Sequence, residues 1–379
     1  MKKKLLEIFD YLHEHPEISW QEINTTKFLA NWFQNENIPF HTFSDCTGGY
    51  AEIGTGKPVI AVRADMDALW QEVDGTFRAN HSCGHDAHMT IVLGSLLLLK
   101  EEGLKNNGTV RFIFQPAEEK GTGALAFIEK GIVDDVDYLF GIHLRPKEEL
   151  RNGTAAPAIY HGASRFISGK IIGEDAHGAR PHLTANAIEV GADLVHFMKG
   201  IYLNPNLSYS AKLTNFHAGG ESKNIIPGSA SFSIDVRAES NDAMHQLYEQ
   251  IVKVFKALEV RYDVKITYQI DADLPAAVVS DEAASLMKSA IIQTIGEQHC
   301  MPSVQTTGGD DFHYYTIKRP NIKATMLALG CDLQPGLHHP KMTFDKDALI
   351  TGAMILKNVI QKTLSQGEMN VDRNNHSND

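Results

Sequence analysis

Short apolar runs in this chain repeatedly end in residues that bind metals or move protons. Pro58 to Ala64 leads into Asp65 and Asp67, Val110 to Gln115 into Glu118 and Glu119, and Tyr138 to Ile142 into His143. Ala324 to Gly330 leads towards His338. Strand-like runs alternating with helix-like segments predict a largely parallel α/β sheet flanked by helices. In open sheets of that kind, ligands collect in the crevice beyond the carboxyl ends of the strands. Residues far apart in the chain can therefore meet at one site, and that convergence constrains the fold more than any single motif.

Helical spacing covers Lys3 to His13 and Glu22 to Glu36, and His88 to Glu102 reads as a helix with Gly103 as its stop. The middle of the chain changes character. Arg165 to Ile172 reads as a strand, Ala185 to Leu203 as a helix, Tyr209 to Phe216 and Ser229 to Val236 as strands, Ala243 to Leu258 as a helix and Val264 to Ile270 as a strand. The order β-α-β-β-α-β is that of a ferredoxin-like sandwich. The expectation is an inserted α+β domain over residues 163–271, interrupting an α/β domain made of 1–162 and 272–379.

A chain of 379 residues is long enough for two cores. The formal charge of -12 argues against a nucleic-acid partner, which needs a basic surface. Cys46, Cys83, Cys300 and Cys331 are too few and scattered for a disulfide framework, and a reducing cytoplasm is the expected compartment. Glu7, Asp10 and Glu14 break any apolar signal sequence, leaving an amphipathic N-terminal helix. No apolar run reaches the length of a membrane span. The polar stretch ending at Asp379 is expected to be a disordered tail.

The densest chemistry lies in His81-Ser-Cys-Gly-His-Asp-Ala-His88, where a thiol, imidazoles and a carboxylate fall within one short stretch. Such a set suits borderline-soft cations. Cys83 could bridge two cations as a thiolate or be a buried structural cysteine. His88 is expected to be structural, or to support a ligand, and Asp86 to orient a ligating imidazole. In the pair Glu118-Glu119, one carboxylate could hold metal while the other takes a proton from water. The plain alternative is a solvated acidic turn. Asp65 and Asp67 share a face at strand spacing and could support a ligand or the base, or simply sit in water.

Taken together, Arg63-Ala-Asp-Met-Asp67, Ser82-Cys-Gly-His-Asp86, Gln115-Pro-Ala-Glu-Glu119, Gly141-Ile-His143 with Pro146, Ala176-His-Gly-Ala-Arg-Pro-His182 and Leu337-His-His-Pro340 closely resemble metallopeptidase family M-twenty. The match is to its N-acyl-amino-acid amidohydrolases and spans nearly the whole chain in order. The resemblance implies a two-metal hydrolase with an inserted lid and dimerisation domain, hence a homodimer. It implies Cys83, His85, Glu119, His143 and His338 as ligands to two divalent ions. Zinc or manganese is expected, with cobalt and nickel also suited. It implies Glu118 as general base and His177 as an oxyanion stabiliser reaching the partner's site. Asn224 and Arg237 would contact the substrate carboxylate. Each of these three has a plain alternative: a loop cap, a turn residue and a surface ion pair.

Two departures concern the pocket. The family has Leu-Pro where this chain has Leu69-Trp70, and the segment from Trp70 to Ser82 is short. The expected activity is hydrolysis of an N-acyl amino acid or peptide-like amide. A dipeptidase or carboxypeptidase on the same scaffold is the alternative, and a non-catalytic binding relative a more distant one.

Overall fold

The structure is a computed structural model and describes residues 1–104 and 107–375, with side chains to 366. The chain divides into two compact units, one of Met1–Tyr160, Val278–Gln305 and Asp311–Asp379, the other of His161–Ala277 with Thr306–Asp310. The short Thr306–Asp310 segment, read from the sequence as part of the first domain, thus joins the second unit.

Among the described residues of the first unit, the main sheet has seven strands. Their spatial order is Phe40–Thr42, Gly49–Thr55, Gly108–Gln115, Val59–Asp65, Tyr138–Pro146, Lys323–Leu333 and Ala155–Ala156. The four central strands run parallel, and the outer ones pair antiparallel. Every residue of Val59–Asp65 is buried, as expected of a parallel strand covered on both faces. Alternate residues serve separate cores. Ile60, Val62, Phe112, Phe140 and Leu327 pack among helices that include Lys2–Glu14 and His85–Glu102. Val59, Ala61, Ile113, Leu139 and Met326 pack on the side of Gly123–Glu129 and His313–Lys318.

Two sequence-predicted strands run longer than expected. Tyr138–Pro146 carries His143 within the strand, and Lys323–Leu333 ends five residues short of His338. The helix His85–Glu102 starts one turn earlier than the apolar spacing suggested, because Gly84 takes a left-handed conformation (φ 89°) just ahead of it. The short segment between Asp67 and Ser82 is a β-hairpin of Leu69–Val73 and Thr76–Asn80. Its Asp74-Gly75 turn has φ of 51° and 82°, the positive values a type I′ turn needs. The helix Ala348–Asn375 occupies most of the tail expected to be disordered; the end of that expectation, 376–379, lies outside the described residues.

In the second unit, Ala163–Ile172, Tyr209–Ala218, Ala230–Ala238 and Lys265–Leu274 form an antiparallel sheet, with Ala163–Ile172 and Ala230–Ala238 at its centre. Helices Ala187–Lys199 and Asn241–Tyr262 share its core through Val190, Leu194, Ile251 and Phe255, packed with the strand residue Phe232. This is the β-α-β-β-α-β sandwich. Truncating the fully buried Phe140 to Ala should destabilise the first unit by about 3–5 kcal/mol, measured as a lowered midpoint in urea unfolding.

Candidate functional site

Cys83 and His338 in loops, His85 at the start of its helix, Glu119 in the turn after Gly108–Gln115 and His143 within its strand come together in the first unit. Cys83, His85 and His143 offer ligand atoms within 4.8 Å of one another, and so do Cys83, Glu119 and His338. The two groups overlap at Cys83. Glu118 joins His85 and Glu119 in a third such group, its Oε2 3.8 Å from His85 Nε2.

The imidazoles are set by what their other nitrogens touch. His143 Nδ1 donates to the Leu144 carbonyl at 2.7 Å, leaving Nε2 3.6 Å from Cys83 Sγ. Burial, with His88 and Arg145 near, pushes His143 well below the ordinary histidine range, so it is a neutral imidazole. His85 points Nδ1 towards Asp67 Oδ1 at 3.4 Å and Nε2 towards Glu118 and Glu119. Burial opposes its charge, yet Asp65 and Cys83 hold it well above the ordinary range. His88 accepts from the Leu144 N–H at Nε2 and so donates from Nδ1 to Asp65 Oδ1 at 2.7 Å. With both nitrogens engaged, His88 has no lone pair for a cation and acts as a brace. Asp86 does not orient a ligand: its Oδ2 lies 2.7 Å from His13 Nδ1. One residue further along a helix is about 100° round, which turns Asp86 away from His85.

Neither aspartate of the Arg63–Asp67 run is solvated. Asp65 is fully buried, held by Arg63 Nη1 at 2.6 Å. Burial would raise its carboxyl, but His85, His88 and Arg63 keep it well below the usual carboxylate range. Arg63, also fully buried, donates to Gln115 Oε1 and to Asp311 Oδ1. Asp311 accepts in turn from Gln115 Nε2 and the Ala124 N–H. Asp67 accepts from the N–H groups of Glu118 and Glu119 at 3.0 and 3.1 Å, and from Ser19 Oγ at 2.6 Å.

The turn bearing the glutamates is tightly made. Ala117 has φ of 52°, uncommon for a side chain, and a Cβ on Gly123 would stand 1.6 Å from the Pro116 carbonyl oxygen. The hairpin also reaches the site, since Gln71 Nε2 donates to the His338 carbonyl and Gln71 Oε1 accepts from Ser82 Oγ. Trp70 and Phe77 stand exposed on its other face.

The donor set fits a divalent cation. Both ring nitrogens of His85 and Oε1 of Glu119 are buried without a hydrogen-bond partner among the described residues. Leaving such groups unmatched is costly, and a cation would engage Glu119 Oε1 and the His85 Nε2 that faces it, while Nδ1 faces Asp67. His338, half exposed, is raised to about 10 by its contacts with Cys83 and Glu119.

Three predicted residues lie in the second unit. His177 pairs with Ile225 in a two-residue ladder, and its Nδ1 accepts from the Ala179 N–H. The Asn224 carbonyl accepts from the Gly178 N–H, so these two lie side by side. Arg237 donates to Asp235 Oδ1 at 2.7 Å and lies over the Phe166 ring. The residues that sequence reasoning passed over are Ser19, Glu22 and Asp311. Only the Gly308-Gly-Asp-Asp311 run carried a visible turn signal.

Replacing Arg63 by Met should cost about 3–5 kcal/mol, because two carboxylates would stay buried without their cation; urea unfolding measures it. His338 and Cys83 both hold protons above neutrality, so a cation bound through them must expel protons. Cation affinity should rise with pH as His338, raised to about 10, and Cys83 lose their protons, and calorimetry in buffers of different ionisation enthalpy should detect the released protons. A pH-independent affinity would remove these two residues from the ligand set.

Comparison with known proteins agrees with this geometry. The family model described as Peptidase family M20/M25/M40 matches residues 61–362. The N-acetylcysteine deacetylase of Bacillus subtilis (strain 168) is 32% identical, covering 89% of this chain and 91% of that protein. The IAA-amino acid hydrolase ILR1-like 6 of Arabidopsis thaliana is 29% identical, covering 93% and 79%. The crystal structure of the Bacillus subtilis YXEP protein, described as a dinuclear metal binding peptidase from the M20 family, superposes with a TM-score of 0.81. It is 27% identical and covers 96% of this chain and 98% of that one. With the strand-end cluster and a match over most of its length, the chain belongs to peptidase family M20/M25/M40.

Proposed function

We propose that the protein is a metal-dependent amidohydrolase that cleaves the amide bond of N-acyl amino acids. The observation that carries this reading is the overlap of two candidate ligand groups at Cys83, with the Glu118 carboxylate against His85. Relatives named N-acetylcysteine deacetylase and IAA-amino acid hydrolase support the substrate class.

Cys83, His85, Glu119, His143 and His338 would hold two divalent cations, zinc or manganese by the mixed donor set, with cobalt or nickel also suited. When bound, these cations would polarise the amide carbonyl and lower the pKa of a water. Glu118 takes the proton of the attacking water and returns it to the leaving nitrogen. Asp67 holds Glu118 and Glu119 by their backbone N–H groups, and Asp65 fixes His88 and bears on His85. His177 steadies the oxyanion. Asn224 and Arg237 bind the substrate carboxylate, with Arg237 exchanging part of its contact with Asp235. The second unit serves as lid and homodimer interface. A cytoplasmic location is supported by Cys46, Cys83, Cys300 and Cys331 all being free thiols. Among the described residues no helix is long and apolar enough to cross a membrane.

Amine release from a panel of N-acetyl and N-benzoyl amino acids, alongside free dipeptides, tests the reading directly. Chelator-sensitive release from the acylated set is expected, and release from dipeptides alone would replace it with a peptidase. Glu118→Gln should keep its metal content while kcat falls by about 10²–10⁴-fold; near-normal turnover would dismiss Glu118 as the base.

A further inference from the structure

We infer that the N-terminal segment Ser19–Glu22 is a positioning strap for the turn that carries the base, with Glu22 as its decisive residue. The inference rests on the amidohydrolase reading for its consequence in catalysis, but its geometry stands apart from it. Glu22 is fully buried. Its Oε1 accepts from the Ala117 N–H at 2.9 Å, and its Oε2 accepts from Thr47 Oγ1 at 2.6 Å. The next two N–H groups, of Glu118 and Glu119, go to Asp67. Three successive amides are therefore taken by two buried carboxylates.

Two neighbours of Glu22 close on the same turn. Ser19 Oγ donates to Asp67 Oδ2 at 2.6 Å, and the Trp20 indole N–H donates to Thr122 Oγ1 at 3.1 Å. Trp20 itself has φ of 68°, the bend that lets adjacent residues reach both ends of the turn. Thr47 is held in its turn, since a Cβ on Gly48 would lie 2.4 Å from the Phe114 carbonyl oxygen at the end of the strand leading to Pro116. The strap thus grips the Pro116–Gly123 turn through Ala117 and Thr122, and through Asp67 it reaches the Glu118 and Glu119 amides.

The physical need is local. Ala117 sits at a positive φ that a side-chain-bearing residue adopts only when its surroundings impose it. An acceptor on its N–H imposes it here. Released, Ala117 relaxes towards ordinary angles and swings the Glu118 carboxylate. A misplacement of roughly 1 Å costs on the order of 10²-fold in rate. A carboxylate suits the place because it accepts twice, from an amide and a hydroxyl, at a buried position. Glu22 touches no candidate ligand atom, so it is a positioning residue and not a catalytic one.

The test compares Glu22→Gln and Glu22→Ala in the full-length, metal-loaded protein. Two readouts are followed: kcat and KM on a hydrolysed N-acyl amino acid, and amide hydrogen exchange over the Gln115–Gly123 stretch. Glu22→Gln keeps an acceptor for Ala117 and should hold kcat within about threefold of wild type, with exchange unchanged. Glu22→Ala should lower kcat by about a hundredfold, leave KM within about threefold and speed exchange at this stretch. Wild-type kcat and protection in a folded Glu22→Ala variant would overturn the strap. So would equal losses in the Gln and Ala variants, or a loss expressed in KM. Should Glu22→Ala fail to fold, Trp20→Phe and Thr47→Val are read in the same way. If the wild type hydrolyses no N-acyl amino acid, the functional reading fails while exchange still decides the strap.

Discussion

The buried guanidinium of Arg63 is the interaction on which the site depends. It lies at the carboxyl end of a central parallel strand, wholly out of water, and a charge so placed persists only if fully matched. Asp65, Gln115 and Asp311 match it. In doing so they tie together two adjacent strands and the segment before the helix His313–Lys318. The consequences spread by direct contact. Asp65 passes to His88, which accepts the Leu144 N–H beside His143. Asp311 accepts the Ala124 N–H just beyond the turn of Glu118 and Glu119. Asp67 completes the arrangement by holding the Glu118 and Glu119 N–H groups.

Around that cation the first unit collects more negative charge than its own residues neutralise. Asp65, Asp67, Glu118 and Glu119 converge on His85, and Asp65 and Cys83 foremost hold its imidazole well above the ordinary histidine range. His338 is held charged in the same way. Two protons thus sit where cations would. A site that binds protons so strongly at its nitrogens is electrostatically prepared for divalent ions, and the exchange of one for the other couples occupancy to pH.

Much of this was legible residue by residue. Glu119, His143 and His338 follow strand-like runs, and the crevice rule for α/β sheets says that such residues meet. The insert was legible because its strands alternate and its helices have an apolar face, a pattern visible in Ile167, Ile171, Phe232 and Ile234. Other features left a trace that went unread. Asp74-Gly75 is a hairpin signal, obscured because the flanking residues, Trp70 and Phe77 among them, do not alternate cleanly between apolar and polar. Asp86 next to His85 suggested a support for a ligand, but adjacency along a helix separates side chains by about 100°.

What the sequence determined by itself was the fold class, the inserted sandwich and the set of residues able to hold cations, because periodicity and ligand chemistry are local properties. What only the tertiary structure decided was which group touches which. Nothing in the spacing marks Ser19 as a partner of Asp67, or Glu22 as a partner of a turn almost a hundred residues on, since both pairings need the N-terminal segment laid against the sheet end. The fold also supplies the reason His88 braces while His85 is open to a cation: both nitrogens of His88 are hydrogen-bonded, and neither nitrogen of His85 has such a partner among the described residues. Hydrogen bonds between distant segments are made only when the core brings them within about 3 Å, and the core is a property of the whole first unit.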